Sequence, residues 1–223
     1  MILLALHGIL TGRSDVTWPE RLQAFAFRRD REMVVLTDQY DAGPFPRLNW
    51  FVGNPRMARA MALRIRDWLE DSEHTKVALV GHSNGCDIVR RVAIELAESG
   101  VVVQCLILCA PPITPSLKVN GLQACIEAGK IRRVVCYYTP RDTVLAAART
   151  GNPLTWIGAM LRWPYGNMGR VGIPDVPTVE ADAPAPNAAV FNRVFPTYWH
   201  TTYFNRATSP ATFNLILNDA HLD

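Results

Sequence analysis

No run of apolar residues in the 223-residue sequence approaches the roughly 18 that a membrane span requires, so a transmembrane protein is not expected. There is no HExxH, no CxxC, and no cluster of His, Asp and Glu with metal-ligand spacing, so neither a metal nor a cofactor is implied. A dominant charge is also missing. The 23 Lys and Arg against 20 Asp and Glu leave a formal +3, too scattered to form a nucleic-acid-binding face. The five cysteines, Cys86, Cys105, Cys109, Cys125 and Cys136, are odd in number and lie mostly in apolar runs. That pattern suits reduced, buried thiols better than a disulfide framework. The opening MILLAL is short, carries no basic stretch before it and runs directly into His7-Gly8. It fits a signal peptide poorly, and cytoplasmic folding is the expectation.

What is present is a globular composition, 49% apolar and 19% charged, suited to a single domain over 1–223 with a substantial core. Short β-branched runs alternate with longer amphipathic stretches through about residue 138. The strand-like runs are Ile2 to Leu6, Met33 to Thr37, Lys76 to Val80, Val101 to Cys109 and Arg132 to Tyr138, each continuously apolar, as when both faces of a sheet are covered. Helices are read at Trp18 to Arg28, Pro55 to Glu70 and Asn84 to Glu98, the last closed by Gly100. A short helix near Leu117 to Glu127 and a final one opening at Ser209-Pro210 and running to about Asn218 complete the pattern. The fold class is therefore α/β, a mostly parallel sheet with helices on both faces. The segment 144–197, rich in Pro, Gly and Ala, reads as an irregular insertion. Its WIGAML run suits either a lid helix or a helix packed on the core.

The run TKVALVGHSNGCDIVRRVAIELAESG carries the strongest chemical signal. It reads strand, then Gly81-His82-Ser83-Asn84-Gly85, then helix. By chance, GxSxG turns up in roughly one chain in fifteen of this length, so its weight comes from that strand and helix context. A nucleophilic serine must stand on a very tight, strained turn so that its hydroxyl projects from the carboxyl end of the sheet, and residues without side chains at 81 and 85 relieve the crowding. A serine that merely caps the helix would leave both glycines unexplained.

The serine needs a base, and the chain has five histidines. His7 ends the first strand, His74 lies in a charged loop, His82 is inside the GxSxG turn and His221 is near the end of the chain. His200, in TYWHTTYF between the last sheet-like run and the last helix, is the candidate. Asp142, after the strand RRVVCYY and the turn Thr139-Pro140-Arg141, is the favoured carboxylate; Glu180 and Asp182 are the alternatives. The backbone N–H groups of Asn84 and of Ile9, with Gly8 allowing a close approach after the first strand, are the expected oxyanion donors.

These residues together resemble the α/β-hydrolase superfamily, in particular its lipase and esterase-like members: His7-Gly8 after a strand, the elbow GHSNG at 81–85, Asp142 and a late His200, in the order nucleophile, acid, base. The resemblance implies Ser83 as nucleophile, His200 as general base and acid, Asp142 as its orienter, and Ile9 and Asn84 as oxyanion hole. Two departures are visible. The chain opens on the strand before the HG loop, so a shortened sheet, without the family's usual first two strands, is expected. The usual cap position, between the runs ending at Cys109 and beginning at Arg132, holds only about twenty residues, so any lid is expected from the Trp156 to Gly172 region.

The expected activity is hydrolysis of a carboxylic ester through an acyl-serine, with a small-molecule or acyl ester as substrate. The same triad would serve a thioesterase, amidase or acyltransferase, and a noncatalytic binding module is the contrasting class. Trp156, Met160, Trp163 and Trp199 are candidates for the substrate pocket, though such residues serve a buried core equally well.

Overall fold

The computed structural model describes residues 1–8, 17–29, 33–38, 49–150 and 166–221. Among the described residues seven strands form one parallel sheet: β1 (Ile2–Leu6), β2 (Val34–Asp38), β3 (Val77–His82), β4 (Val103–Cys109), β5 (Val134–Tyr138), β6 (Thr178–Glu180) and β7 (Val190–Val194). Their spatial order is β2-β1-β3-β4-β5-β7-β6, with every pairing parallel. Parallel neighbours need crossovers, and the helices supply most of them: α1 (Trp18–Arg29), α2 (Asn54–Glu70), α3 (Asn84–Glu98), α4 (Leu122–Glu127), α5 (Thr143–Thr150), α6 (Met168–Val171) and α7 (Ser209–His221). A π-helical turn, Asn49–Gly53, leads into α2.

The central strands β1, β3, β4 and β5 are mostly apolar because the sheet is covered on both sides there. Leu4, Leu6 and Leu79 point to the face packed by Ala58, Met61 and Ile65 of α2, by Val89 and Val92 of α3 and by Leu122 of α4. Their neighbours Leu3, Ala5, Ala78 and Val80 point to the opposite face, where Leu22 and Ala26 of α1 meet Phe213 and Ile216 of α7. Alternation along each strand thus divides its side chains between two cores. After β1 the chain goes first to β2 on one side, and β3 then pairs with β1 on the other. That reversal is a topological switch point at the carboxyl ends of β1 and β3, the position at which open α/β sheets bind ligands.

The sequence reading differs from the structure most between 144 and 197. Within that segment, β6 and β7 extend the sheet from five expected strands to seven, and α6 is a short helix. The β7 run VFNRV hid its character because two of its buried positions are polar. Asn192 accepts the Ile173 N–H at 2.8 Å and donates to the Ile173 carbonyl at 2.9 Å. The buried Arg193 forks onto Asp219 of α7 at 2.7 and 2.6 Å, and Asp219 also accepts the Tyr137 hydroxyl at 2.6 Å. Buried polar side chains persist when every donor and acceptor is matched, and here they join β5, β7 and the last helix.

Smaller differences sit at the ends of elements. β4 begins at Val103 rather than Val101, because Gly100 turns the chain with φ of 87° and the Val101 N–H returns to the Leu96 carbonyl at 2.9 Å. Turns precede α4, which starts at Leu122 rather than Leu117, and α7 runs on to His221. The WIGAML run, with Trp156, Met160 and Trp163, lies outside the described residues, as does Ile9. Among the described residues no helix is long and apolar enough to cross a membrane.

Candidate active site

Ser83 stands between β3 and α3 with φ of 53° and ψ of −128°, a conformation that a side chain bearing a Cβ seldom adopts. Its neighbours hold it there. The Ser83 N–H donates to the Cys109 carbonyl at 3.0 Å, and the Ser83 carbonyl accepts the Cys86 N–H at 2.9 Å. The turn is too tight for side chains on either side: a Cβ at Gly81 would lie 2.6 Å from the Gly85 carbonyl oxygen, and one at Gly85 would lie 2.6 Å from that of His7. Although Ser83 precedes a helix, its hydroxyl makes no capping hydrogen bond. It is directed to His200 instead, with Oγ 2.9 Å from Nε2.

The other imidazole nitrogen, Nδ1, lies 2.7 Å from Oδ2 of Asp142, and Asp142 is fully buried. A carboxylate accepts, so Nδ1 carries the hydrogen and Nε2 presents its lone pair to the serine hydroxyl. Asp142 is placed by local chemistry. It follows the end of β5, and its second oxygen accepts the Leu145 N–H at 2.8 Å in the first turn of α5, the geometry of a helix N-cap. One oxygen caps the helix and the other orients the histidine. Glu180 and Asp182, the sequence-based alternatives, are exposed at and just beyond the edge strand β6, and Asp142 is the partner of the His200 ring.

Gly8 lies at the end of β1 against the serine, where an added Cβ would come within 2.8 Å of the Ser83 Cβ. Its carbonyl accepts the Nδ1–H of buried His7 at 2.6 Å. Asn84, the first residue of α3, is 2% exposed. Its amide faces that of Asn54 at the start of α2, with N···O separations of 3.2 and 3.3 Å. Asn54 also donates to Oδ2 of Asp87 at 2.9 Å, and Asp87 is paired with Arg90 at 2.7 Å and Arg91 at 2.8 Å. Sequence reasoning missed this network. The spacing of Asp87 to Arg90 and Arg91 is a legible helical charge pattern, but nothing in it tells that Asp87 is buried with Asn54 against it.

His82 is buried, and its ring lies 5.1 Å from that of His200 and edge-on to Phe204 at 5.3 Å. Burial first, then the neighbouring His200, lower its pKa to about 3, so it is neutral at ordinary pH. Burial pushes the Cys86 and Cys109 thiols well up, and neither supplies a competing thiolate beneath the serine. Trp199 is half exposed beside His200, its backbone N–H accepted by the Thr202 hydroxyl at 3.0 Å. Of the remaining histidines, His74 bonds to the chain's amino group at 3.4 Å and His221 is exposed in the last turn of α7.

No family model matches the chain, and no curated protein matches it by sequence. Its likeness is to solved structures. An uncharacterised protein from Bacillus cereus ATCC 10987 aligns with 98% of this chain at a TM-score of 0.56 and 12% identity, and the chain spans 58% of that protein's length. A Pyrobaculum calidifontis esterase aligns with 98% at a TM-score of 0.58 and 12% identity, over 75% of its own length. Bacterial heroin esterase aligns with 98% at 0.55 and 14% identity, over 74% of its length. The chain has the α/β-hydrolase fold.

Proposed function

We propose that the protein is a serine hydrolase that cleaves a carboxylic ester through an acyl-serine intermediate, with Ser83 as nucleophile, His200 as base and Asp142 as its orienter. The observation that carries this reading is the continuous chain of contacts from Asp142 Oδ2 to His200 Nδ1 at 2.7 Å and from His200 Nε2 to Ser83 Oγ at 2.9 Å. The strained backbone at Ser83 and the esterase names of two structural neighbours support it further.

In this mechanism the Ser83 oxygen attacks the ester carbonyl while its proton passes to His200 Nε2. The imidazolium so formed is stabilised by Asp142. The oxyanion is met by the backbone N–H of Asn84 at the N-terminal end of α3, where the helix dipole adds positive potential, and the resemblance of the sequence to α/β-hydrolases assigns the second donor to the Ile9 N–H. Collapse of the tetrahedral intermediate expels the alcohol, which takes the proton from Nε2. Water, deprotonated by the same nitrogen, then releases the acid and restores the Ser83 hydroxyl.

Trp199, exposed beside the base, and Trp156, Met160 and Trp163 are proposed to receive an apolar acyl group. A panel of p-nitrophenyl esters of increasing acyl length, run on the parent and on Ser83→Ala, tests both parts. Hydrolysis that Ser83→Ala abolishes, and that varies with chain length, is the expected result. Activity that survives Ser83→Ala overturns the mechanism, and a rate flat across acyl length overturns the acyl pocket.

A further inference from the structure

The base of this site stands on an irregular part of the described chain. Between β7 and α7 only the short turn Thr202–Phe204 is helical, and His200 lies outside it. An imidazole on such a segment keeps its angle only if the backbone beneath it is fixed, because a shift of about 1 Å at a reacting group can cost about 10²-fold in rate.

Two buried side chains supply that fixation, one beside each of the imidazole's own partners. His82, the residue before Ser83, lies with Nε2 2.8 Å from the His200 carbonyl oxygen. Because a carbonyl only accepts, this nitrogen carries the hydrogen. Thr139, three residues before Asp142, donates its hydroxyl to the Tyr198 carbonyl at 2.8 Å and accepts the Arg141 N–H at 3.3 Å. The carbonyls at 198 and 200, on either side of Trp199, are therefore held by residues belonging to the nucleophile's strand and to the acid's turn. The ring of His200 is held by Ser83 and Asp142 themselves. Backbone and ring are gripped in parallel from the same two places.

We propose that His82 and Thr139 are positioning residues that fix the loop of His200 so that its imidazole stays aligned between Ser83 and Asp142, an inference that rests on the reading of those three residues as a catalytic triad. Histidine suits position 82 for two reasons. Its ring packs against the His200 ring at 5.1 Å and the Phe204 ring at 5.3 Å, which restrains the donor. It is also neutral there, so it gives a hydrogen bond without placing a second positive charge against His200 at the moment that ring becomes an imidazolium. A lysine or arginine would donate equally well and oppose that charge.

The test compares apolar with donor-preserving replacements. His82→Phe and Thr139→Val remove the donors while keeping bulk; His82→Gln and Thr139→Ser keep a donor within reach. Rates on p-nitrophenyl butyrate are expressed per active site, counted by covalent titration with a fluorophosphonate, so that misfolded molecules do not enter. The apolar variants are expected to lose about 10²-fold in kcat with KM within about twofold of the parent, and the conservative variants to recover most of the loss. The double apolar variant should lose less than the product of the single losses, because both bonds hold one loop. Parent kcat per titrated site in both apolar variants, or equal loss in conservative and apolar pairs, overturns the proposal. If His82→Phe yields no folded protein, Thr139→Val, nearly isosteric, decides alone. A parent that neither hydrolyses the ester nor takes up the fluorophosphonate overturns the triad reading as well, which separates the two failures.

Discussion

Replacing Asp142 by Asn is the most informative small change, since it alters one atom in a residue with no exposed surface. Both carboxylate oxygens are committed as acceptors, Oδ2 to His200 Nδ1–H and Oδ1 to the Leu145 N–H. An amide has only one acceptor. If its oxygen stays with Leu145, its NH2 confronts His200, and the imidazole must adopt the tautomer with hydrogen on Nε2, which cannot take the Ser83 proton. If its oxygen turns to His200, a donor faces the Leu145 N–H and the cap of α5 is lost, at about 1 kcal/mol of stability. The first arrangement costs no backbone contact and is expected to prevail. The loss in kcat is then about 10⁴-fold, or about 5 kcal/mol of transition-state stabilisation, with urea unfolding changed by about 1 kcal/mol or less. Steady-state rates on p-nitrophenyl butyrate, with an unfolding curve for each variant, check both halves. A variant within tenfold of the parent would refute the claim that the Asp142 carboxylate sets the tautomer of His200.

Three other expectations follow from the same contacts. His200→Ala should remove turnover while His221→Ala leaves it within about twofold, because only the former reaches Ser83; ester hydrolysis by the two variants decides between them. His82 has its pKa lowered to about 3, so the unfolded chain, with an ordinary histidine, binds the proton first as pH falls. Its contribution is therefore fully present above about pH 6.5 and is lost on acidification toward pH 3, at up to about 1.4 kcal/mol per pH unit. Unfolding free energies between pH 4 and 6 should be flatter by that amount in His82→Gln, and equal slopes would count against a buried neutral ring. Finally, Asp219→Ala, which strands buried Arg193, should lower stability by about 3–5 kcal/mol in urea while kcat per titrated site stays near the parent value. Unchanged stability would mean that the pair is solvated.

The part of the fold legible in the sequence is the part in which one physical signal dominates. β1, β3, β4 and β5 announce themselves because a strand buried on both faces is dominated by apolar residues, and α2 and α3 because one side of each must meet that sheet. β7 did not, since Asn192 and Arg193 break its apolar run and their partners, Ile173 and Asp219, are distant in sequence or in another element. The residues Ser83, His200 and Asp142 could be picked out because strand ends, chain order and the scarcity of histidines narrow the choice. The supports at His82, Thr139 and Asn54 could not. Each acts through a contact to a residue 30 to 118 positions away, and a single threonine or asparagine carries no local mark of such a partner. His82 was in plain view as the second residue of GHSNG, yet the turn explained only its neighbours.

The central claim is tested most directly by where a covalent probe attaches. The parent protein is treated with a fluorophosphonate and digested, and the modified peptide is sequenced by mass spectrometry. One adduct per chain on Ser83, formed far more slowly in His200→Ala, is the predicted result; no adduct, or an adduct on another residue at undiminished rate, would contradict the account.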